Sequence, residues 1–261
     1  MVSKVAPLNV QMVSSTSNHA LPSQFYSDRP ITEDFTPHAN DLSLPEFGGR
    51  LCYESWSRPR EETKRNKGYI HNILRQKHFS VLEHVTVGFY IEGVSRSLTH
   101  EFVRHRHFSY SQLSQRFVDS SKARFVVPPA LSDDEVSVMA LQNQFNSALE
   151  TYDAIVEQLT KKGAKRKQIR EAARSVLPNM TETKILVTGN LRAWMEFLVK
   201  RDNPAADAEI ARLAKEIGRQ LASKYPSIFD DGGRALWDES FAQREVQSWP
   251  KNVITIPDGI L

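Results

Sequence analysis

Between Arg104 and Arg116 the chain reads RHRHFSYSQLSQR, with three arginines, two histidines and not one carboxylate. Arginine stays charged at any physiological pH and presents a planar donor fork that matches phosphate or carboxylate oxygens. Ser109, Ser111, Gln112 and Ser114 add neutral donors and acceptors able to read the edge of a base or a sugar. Phe108, Leu113 and Phe117 are threaded through the run, so the segment is anchored rather than loosely solvated. That combination points to a bound nucleotide or a phosphorylated cofactor.

Two other readings compete. A solvated helix end would pair its arginines locally, and Glu101 stands three residues before Arg104, as in a helical ion pair. A nucleic-acid groove calls for more lysine and a broader basic surface than a net charge of +3 on 261 residues supplies. Other chemistries lose a needed residue. HEFVR has Arg104 where a zinc-protease motif needs its second histidine. GVSRS ends in Ser97 where a nucleophile elbow needs glycine. Neither a Gly-x-Gly-x-x-Gly nor a Walker loop occurs. The single cysteine, Cys52, excludes an intramolecular disulfide and a cysteine-rich metal site, and it reads as a small buried helix residue. No apolar run reaches membrane-spanning length and no signal-peptide core opens the chain, so a cytoplasmic protein is expected.

The elements that must position the cluster follow from periodicity. Residues 7–13 and 85–91 alternate as strands, and TKILVTG from Thr183 reads as another. KGYIHNILRQKH places Tyr69, Ile70, Ile73 and Leu74 on one helical face. SRSLTHEFVRHR predicts a short helix with the Arg-His-Arg run at its C-terminal end, where cations complement the helix dipole. The longest helix is expected over 133–161, opened by a Ser132–Glu135 capping box and closed before Gly163. RKQIREAARSVL, LRAWMEFLVKR and DAEIARLAKEIGRQLASKY predict three more helices, the last ending before Pro226. Residues 14–43 read as loop. Strands and long helices without regular alternation predict an α+β fold with 40% hydrophobic residues for its core. One domain over 1–228 with a mobile tail over 229–261 is expected.

Arg104-His105-Arg106, seven further residues and then Ser114 resembles the signature of the flavin-dependent thymidylate synthases, and Arg116 extends the match. The whole run looks like the actinobacterial branch. KHFSVLEH at 77–84, ARSVLPNMTETK and TGNLRAW are similar to further blocks of the family, in order, over about residues 45–228. The resemblance implies a homotetramer with a mixed α/β core, long flanking helices and FAD where subunits meet. It implies reductive methylation of dUMP to dTMP with methylenetetrahydrofolate and NADPH. By position, Ser80, Arg104, His105, Arg106, Gln112 and Arg201 would hold FAD. Ser80 would reach it from a neighbouring subunit, or else close a capping box with Glu83. Glu101, Arg104, Gln112, Ser114, Arg116 and Lys184 would hold the nucleotide.

The match also departs from the family. Lys184 stands where relatives carry arginine, keeping the charge and losing the fork. A family Glu-Ile-Arg motif, whose arginine would assist the pyrimidine, reads Glu209-Ile210-Ala211 here. Phe117 replaces a tyrosine, and Pro204 and Ala205 replace polar residues, with Asn203 nearby to supply an amide. These changes lead to an expectation of impaired synthase activity. The alternative is a diverged flavin- or nucleotide-binding paralogue.

Overall fold

The computed structural model describes residues 5–19, 21–25, 42–56 and 60–241. Four strands form one sheet in the order β1-β2-β4-β3, every neighbouring pair antiparallel. They are β1 (Asn9–Ser15), β2 (Thr86–Ser95), β3 (Ser109–Gln112) and β4 (Glu182–Asn190). The sheet's two faces differ because side chains alternate along each strand. Val87, Phe89 and Ile91 of β2 and Ile185 and Val187 of β4 are buried on one face. The other carries Tyr90, Glu92, Lys184 and the exposed Leu186.

Helices cover the apolar face. α1 (Ser43–Leu51) and α2 (Asn66–Arg75) precede β2, and α3 (Arg96–Phe102) follows it directly. α4 (Glu135–Lys161) and α5 (Arg166–Ala173) lie between β3 and β4. α6 (Leu191–Arg201), α7 (Ala208–Lys224) and the short α8 (Pro226–Phe229) and α9 (Asp231–Arg234) complete the chain. Trp194 and Phe197 of α6 and Ile210, Leu213, Ile217 and Leu221 of α7 pack with the buried strand residues in one core. α4 contributes Phe145 and Leu149 to a second, smaller cluster with Phe125. The layout is the α+β arrangement that the strand and helix periodicities predict.

Several local expectations change. α4 is capped by Asp134 and not by Ser132: its Oδ1 accepts from the amides of Val136 at 3.1 Å and Ser137 at 3.2 Å. Ser132 is drawn the other way, donating to the Pro129 carbonyl at 2.9 Å in a preceding 3-10 turn. Ser80 and Glu83 lie in another 3-10 turn, Phe79–His84, where no capping box forms, and Glu83 pairs with Arg192 at 2.6 Å instead. Cys52 is exposed just past the end of α1. β3 falls within the basic run, where no strand is expected from three polar residues around Tyr110.

Residues placed in the expected tail, up to Phe241, pack on the core. Trp237 is fully buried, donates from its indole to the Ile228 carbonyl at 2.7 Å, and meets Phe229 and Phe241 edge-on. Phe241 stacks on Phe79 with ring centroids 5.0 Å apart. The Gly- and Asp-rich stretch that suggests mobility is the tight entry to α9, where Asp230 accepts from the Gly233 amide at 2.7 Å. Residues 242–261, and the expected loop residues 26–41, lie outside the described residues. Trp237→Ala should therefore lower unfolding free energy by about 3–5 kcal/mol, the usual cost of a large-to-small change in a core. Urea denaturation measures it, and a loss under about 1 kcal/mol would show that this segment does not belong to the core.

Candidate functional site

The basic run begins where α3 stops. α3 starts at Ser95, whose hydroxyl accepts from the Leu98 amide at 3.0 Å. The same hydroxyl donates to Glu209 at 2.6 Å, and the Ser95 amide donates to that buried carboxylate at 2.8 Å, which ties α7 to the β2–α3 junction. Arg104, His105 and Arg106 occupy the turn after Phe102 and Val103. Tyr110 of β3 closes this turn from inside: its hydroxyl donates between the carbonyls of Phe102 at 2.6 Å and His105 at 2.9 Å. Burial pushes that phenol's pKa up, so it remains a donor. Phe108 lies flat on β4, where a side chain at Gly189 would come within 2.2 Å of its ring. Only glycine allows this approach, which anchors the segment as its threaded aromatics predict.

Glu101 does not pair with Arg104. The helix ends between them, so the helical alignment is lost, and Glu101 accepts from Arg201 Nη1 at 2.8 Å instead. Arg201 Nε also donates to His105 Nε2 at 3.1 Å. An accepting Nε2 places the imidazole proton on Nδ1. Burial, assisted by the charges of Arg201, Lys200 and Arg104, lowers the His105 pKa to about 4. Arg104 and Arg106 are exposed and have no ion-pair partner among the described residues. Together with His107, Glu196, Lys200 and Arg201 they line a cleft of about 360 Å³.

Ser80 lies elsewhere. It is exposed beside a second cleft of about 320 Å³, shared with Tyr53, Tyr69, Lys77, His78 and Arg192. A depression at Arg192, Ala193 and Glu196 runs between the two. Ser114 and Lys184 line a third cleft of about 500 Å³ with Arg124, Glu182 and Glu92. Gln112 is half-buried and lines none of these clefts; it donates to Thr99 at 3.0 Å and Thr183 at 3.3 Å, leaving its Oε1 without a donor among the described residues. Arg116 is turned toward α5, 3.6 Å from Glu171 and 5.5 Å above the exposed Phe117 ring. Asn203 holds its own turn by accepting from the Ala205 amide at 2.9 Å. Ala211 lines none of these clefts.

Two groups escape the motif reading. Arg96 is half-buried, and burial followed by the nearby Arg174 lowers its pKa. It makes a long contact, 3.5 Å, to the Leu113 carbonyl, and no carboxylate pairs with it among the described residues, so an anion would be welcome there. Glu92 meets Lys184 at 3.0 Å. Their only signal in the sequence is outward alternation on neighbouring strands. Among the described residues no three His, Cys, Asp or Glu side chains gather as metal ligands, and no helix is long and apolar enough to cross a membrane.

Open arginines beside a neutral imidazole, with neutral donors at the next cleft, define an anion-binding α+β protein built for a phosphorylated ligand. The comparisons narrow the class. A family model described as thymidylate synthase complementing protein matches residues 35–227. The flavin-dependent thymidylate synthase of Mycobacterium tuberculosis is 48% identical over 237 residues, 88% of this chain and 92% of that protein. Those of Mycobacterium avium and Mycobacterium marinum are 47% and 46% identical over the same spans. The chain belongs to the flavin-dependent thymidylate synthase family.

The His105 geometry has a consequence for stability. Its folded pKa lies below the ordinary 6.5, so between those values the unfolded chain binds more protons. The contribution is complete above pH 6.5 and fades as pH falls toward about 4. The melting temperature of the His105→Gln variant should therefore fall less steeply than that of the wild type across this window. Parallel slopes in thermal melts would show that His105 is not held neutral.

Proposed function

We propose that the chain acts as a homotetrameric flavin-dependent thymidylate synthase, methylating dUMP to dTMP with methylenetetrahydrofolate as carbon donor and NADPH as reductant. The observation that carries the reading is the open cation pair, Arg104 and Arg106, beside an Arg201 fixed by Glu101 and a neutral His105. The donor set fits FAD: a dinucleotide diphosphate needs fixed cations, and a reduced flavin ring is stabilised by nearby positive charge. Arg104, Arg106 and Arg201 would hold it on one protomer, and Ser80 would meet it from another. Ser80 and the arginine turn line different clefts, joined on the chain's surface by the depression at Arg192, Ala193 and Glu196. Bound there, FAD supplies the two-electron redox chemistry that converts the transferred methylene to a methyl group.

The chain's own residues bind and orient. Ser114 and Lys184 take the nucleotide in the third cleft; Arg96 is a further cation with no carboxylate partner among the described residues, and Arg116 would reach the phosphate by leaving Glu171. Gln112, fixed by two threonines, offers its free carbonyl oxygen between the clefts. Arg201 keeps Nη2 free of protein partners among the described residues, so one donor of a preorganised guanidinium remains for the reacting pyrimidine. His105 accepts from Arg201 and does not compete as a second cation.

On this reading Arg201 supplies a preorganised cation on the flavin side, and the impairment expected from Ala211 is what the activity assay decides. Purified protein with added FAD, NADPH, methylenetetrahydrofolate and dUMP should form dTMP. Arg201→Lys should lower kcat/KM by about 10²–10³-fold, the usual cost of losing one preorganised donor, while Ala211→Arg should change it less than about twofold. Flavin-loaded protein that forms no dTMP would leave a binding protein in place of the enzyme.

A further inference from the structure

Lys184, which lines the third cleft, carries an ammonium and not a planar fork. Its ammonium is a point charge on a flexible stem, and something must hold it in place. Glu92 accepts from it at 3.0 Å through Oε2. That carboxylate is itself fixed from two strands. Asn9 of β1, directly opposite in register, donates to Oε1 at 3.1 Å, and the Tyr90 hydroxyl donates to Oε2 at 3.0 Å. Hydrogen bonds from Asn9, Lys184 and Tyr90 hold the Glu92 pKa down at about 2, so the anion persists at any working pH. The irregular register between Ile91 and Val94 places Lys184 of β4 beside it.

The neighbouring carboxylate is not available for this task. Glu182 takes the Arg124 fork at 2.7 and 2.6 Å and the Gly93 amide at 3.1 Å. Glu92 is thus the anion left for Lys184; of the ammonium's three donors, one meets Glu92 and one the Tyr90 hydroxyl, and one remains for the cleft. From this we infer that Glu92 is a positioning residue for the nucleotide's phosphate, acting through Lys184 and standing in for the orientation that an arginine fork provides by itself. The inference rests on the dUMP reading of the third cleft.

Charge alone predicts the opposite behaviour. A carboxylate beside a phosphate site repels the phosphate, so neutralising it would tighten nucleotide binding. If Glu92 orients Lys184, its removal weakens binding despite the lost repulsion. Calorimetric titration of flavin-loaded protein with dUMP separates the two. Glu92→Gln should weaken dUMP binding about tenfold, on the scale of one hydrogen bond to a charged group, with kcat at saturating dUMP kept within about twofold. Tyr90→Phe, which removes one of the carboxylate's own tethers, should weaken it about threefold. Deoxyuridine, which lacks the phosphate, should bind wild type and Glu92→Gln alike. In a Lys184→Arg background Glu92→Gln should cost less than about twofold, because arginine brings its own fork.

Unchanged or tighter dUMP binding by Glu92→Gln would overturn the inference, as would an equal loss for deoxyuridine or in the Lys184→Arg background. Wild-type protein that binds flavin and no dUMP would instead overturn the nucleotide reading on which the inference rests.

Discussion

One guanidinium fixes the geometry of the centre. Arg201, the last residue of α6, donates to Glu101 in α3 and to His105 in the turn beyond it. The two bonds join the ends of two helices that enter the sheet from different strands. They also settle protonation, because an imidazole that accepts from an arginine cannot itself be cationic. Without this arrangement Glu101 would neutralise a cation of the Arg-His-Arg turn and a charged His105 would repel Arg201. With it, Arg104 and Arg106 remain open to a ligand. The buried bonds from Ser95 to Glu209 and from Tyr110 to the turn carbonyls hold the same junction from behind.

The sheet divides the remaining work. Its inner face is apolar and holds α6 and α7, so the helix ends that carry Arg201 and Glu209 are placed by core packing. Its outer face carries alternate residues of the same strands, and there Asn9, Tyr90, Glu92 and Lys184 form a connected polar row. One strand thus serves both sides: Ile185 and Val187 fix β4 in the core, while Lys184 is presented to the third cleft.

Much of this was legible in the sequence. Period-two and helical patterns locate three of the four strands and the principal helices, because burial on one face imposes those periods. The basic run and its flanking blocks identify the site's first residues and the family. What was missed depends on contacts between distant segments. The Glu101–Arg201 pair spans a hundred residues, and local spacing suggested Arg104 as the partner. β3 was invisible because only Tyr110 and Gln112 of its residues face inward. The packing of Trp237 depends on surfaces built by α8 and the Phe79 turn, and nothing in its Gly- and Asp-rich surroundings announces it. The place of Ala211 outside the four clefts of the single chain depends on the fold and could not be read from the motif.

On the proposed reading a single chain would hold only part of the flavin site, with Ser80 of one subunit and the arginine turn of another completing it. Sedimentation velocity followed at the visible flavin absorption, over a dilution series, tests this most directly. The account predicts that flavin sediments with the tetramer and is released as the tetramer dissociates. Flavin that continues to sediment with a monomer would contradict it.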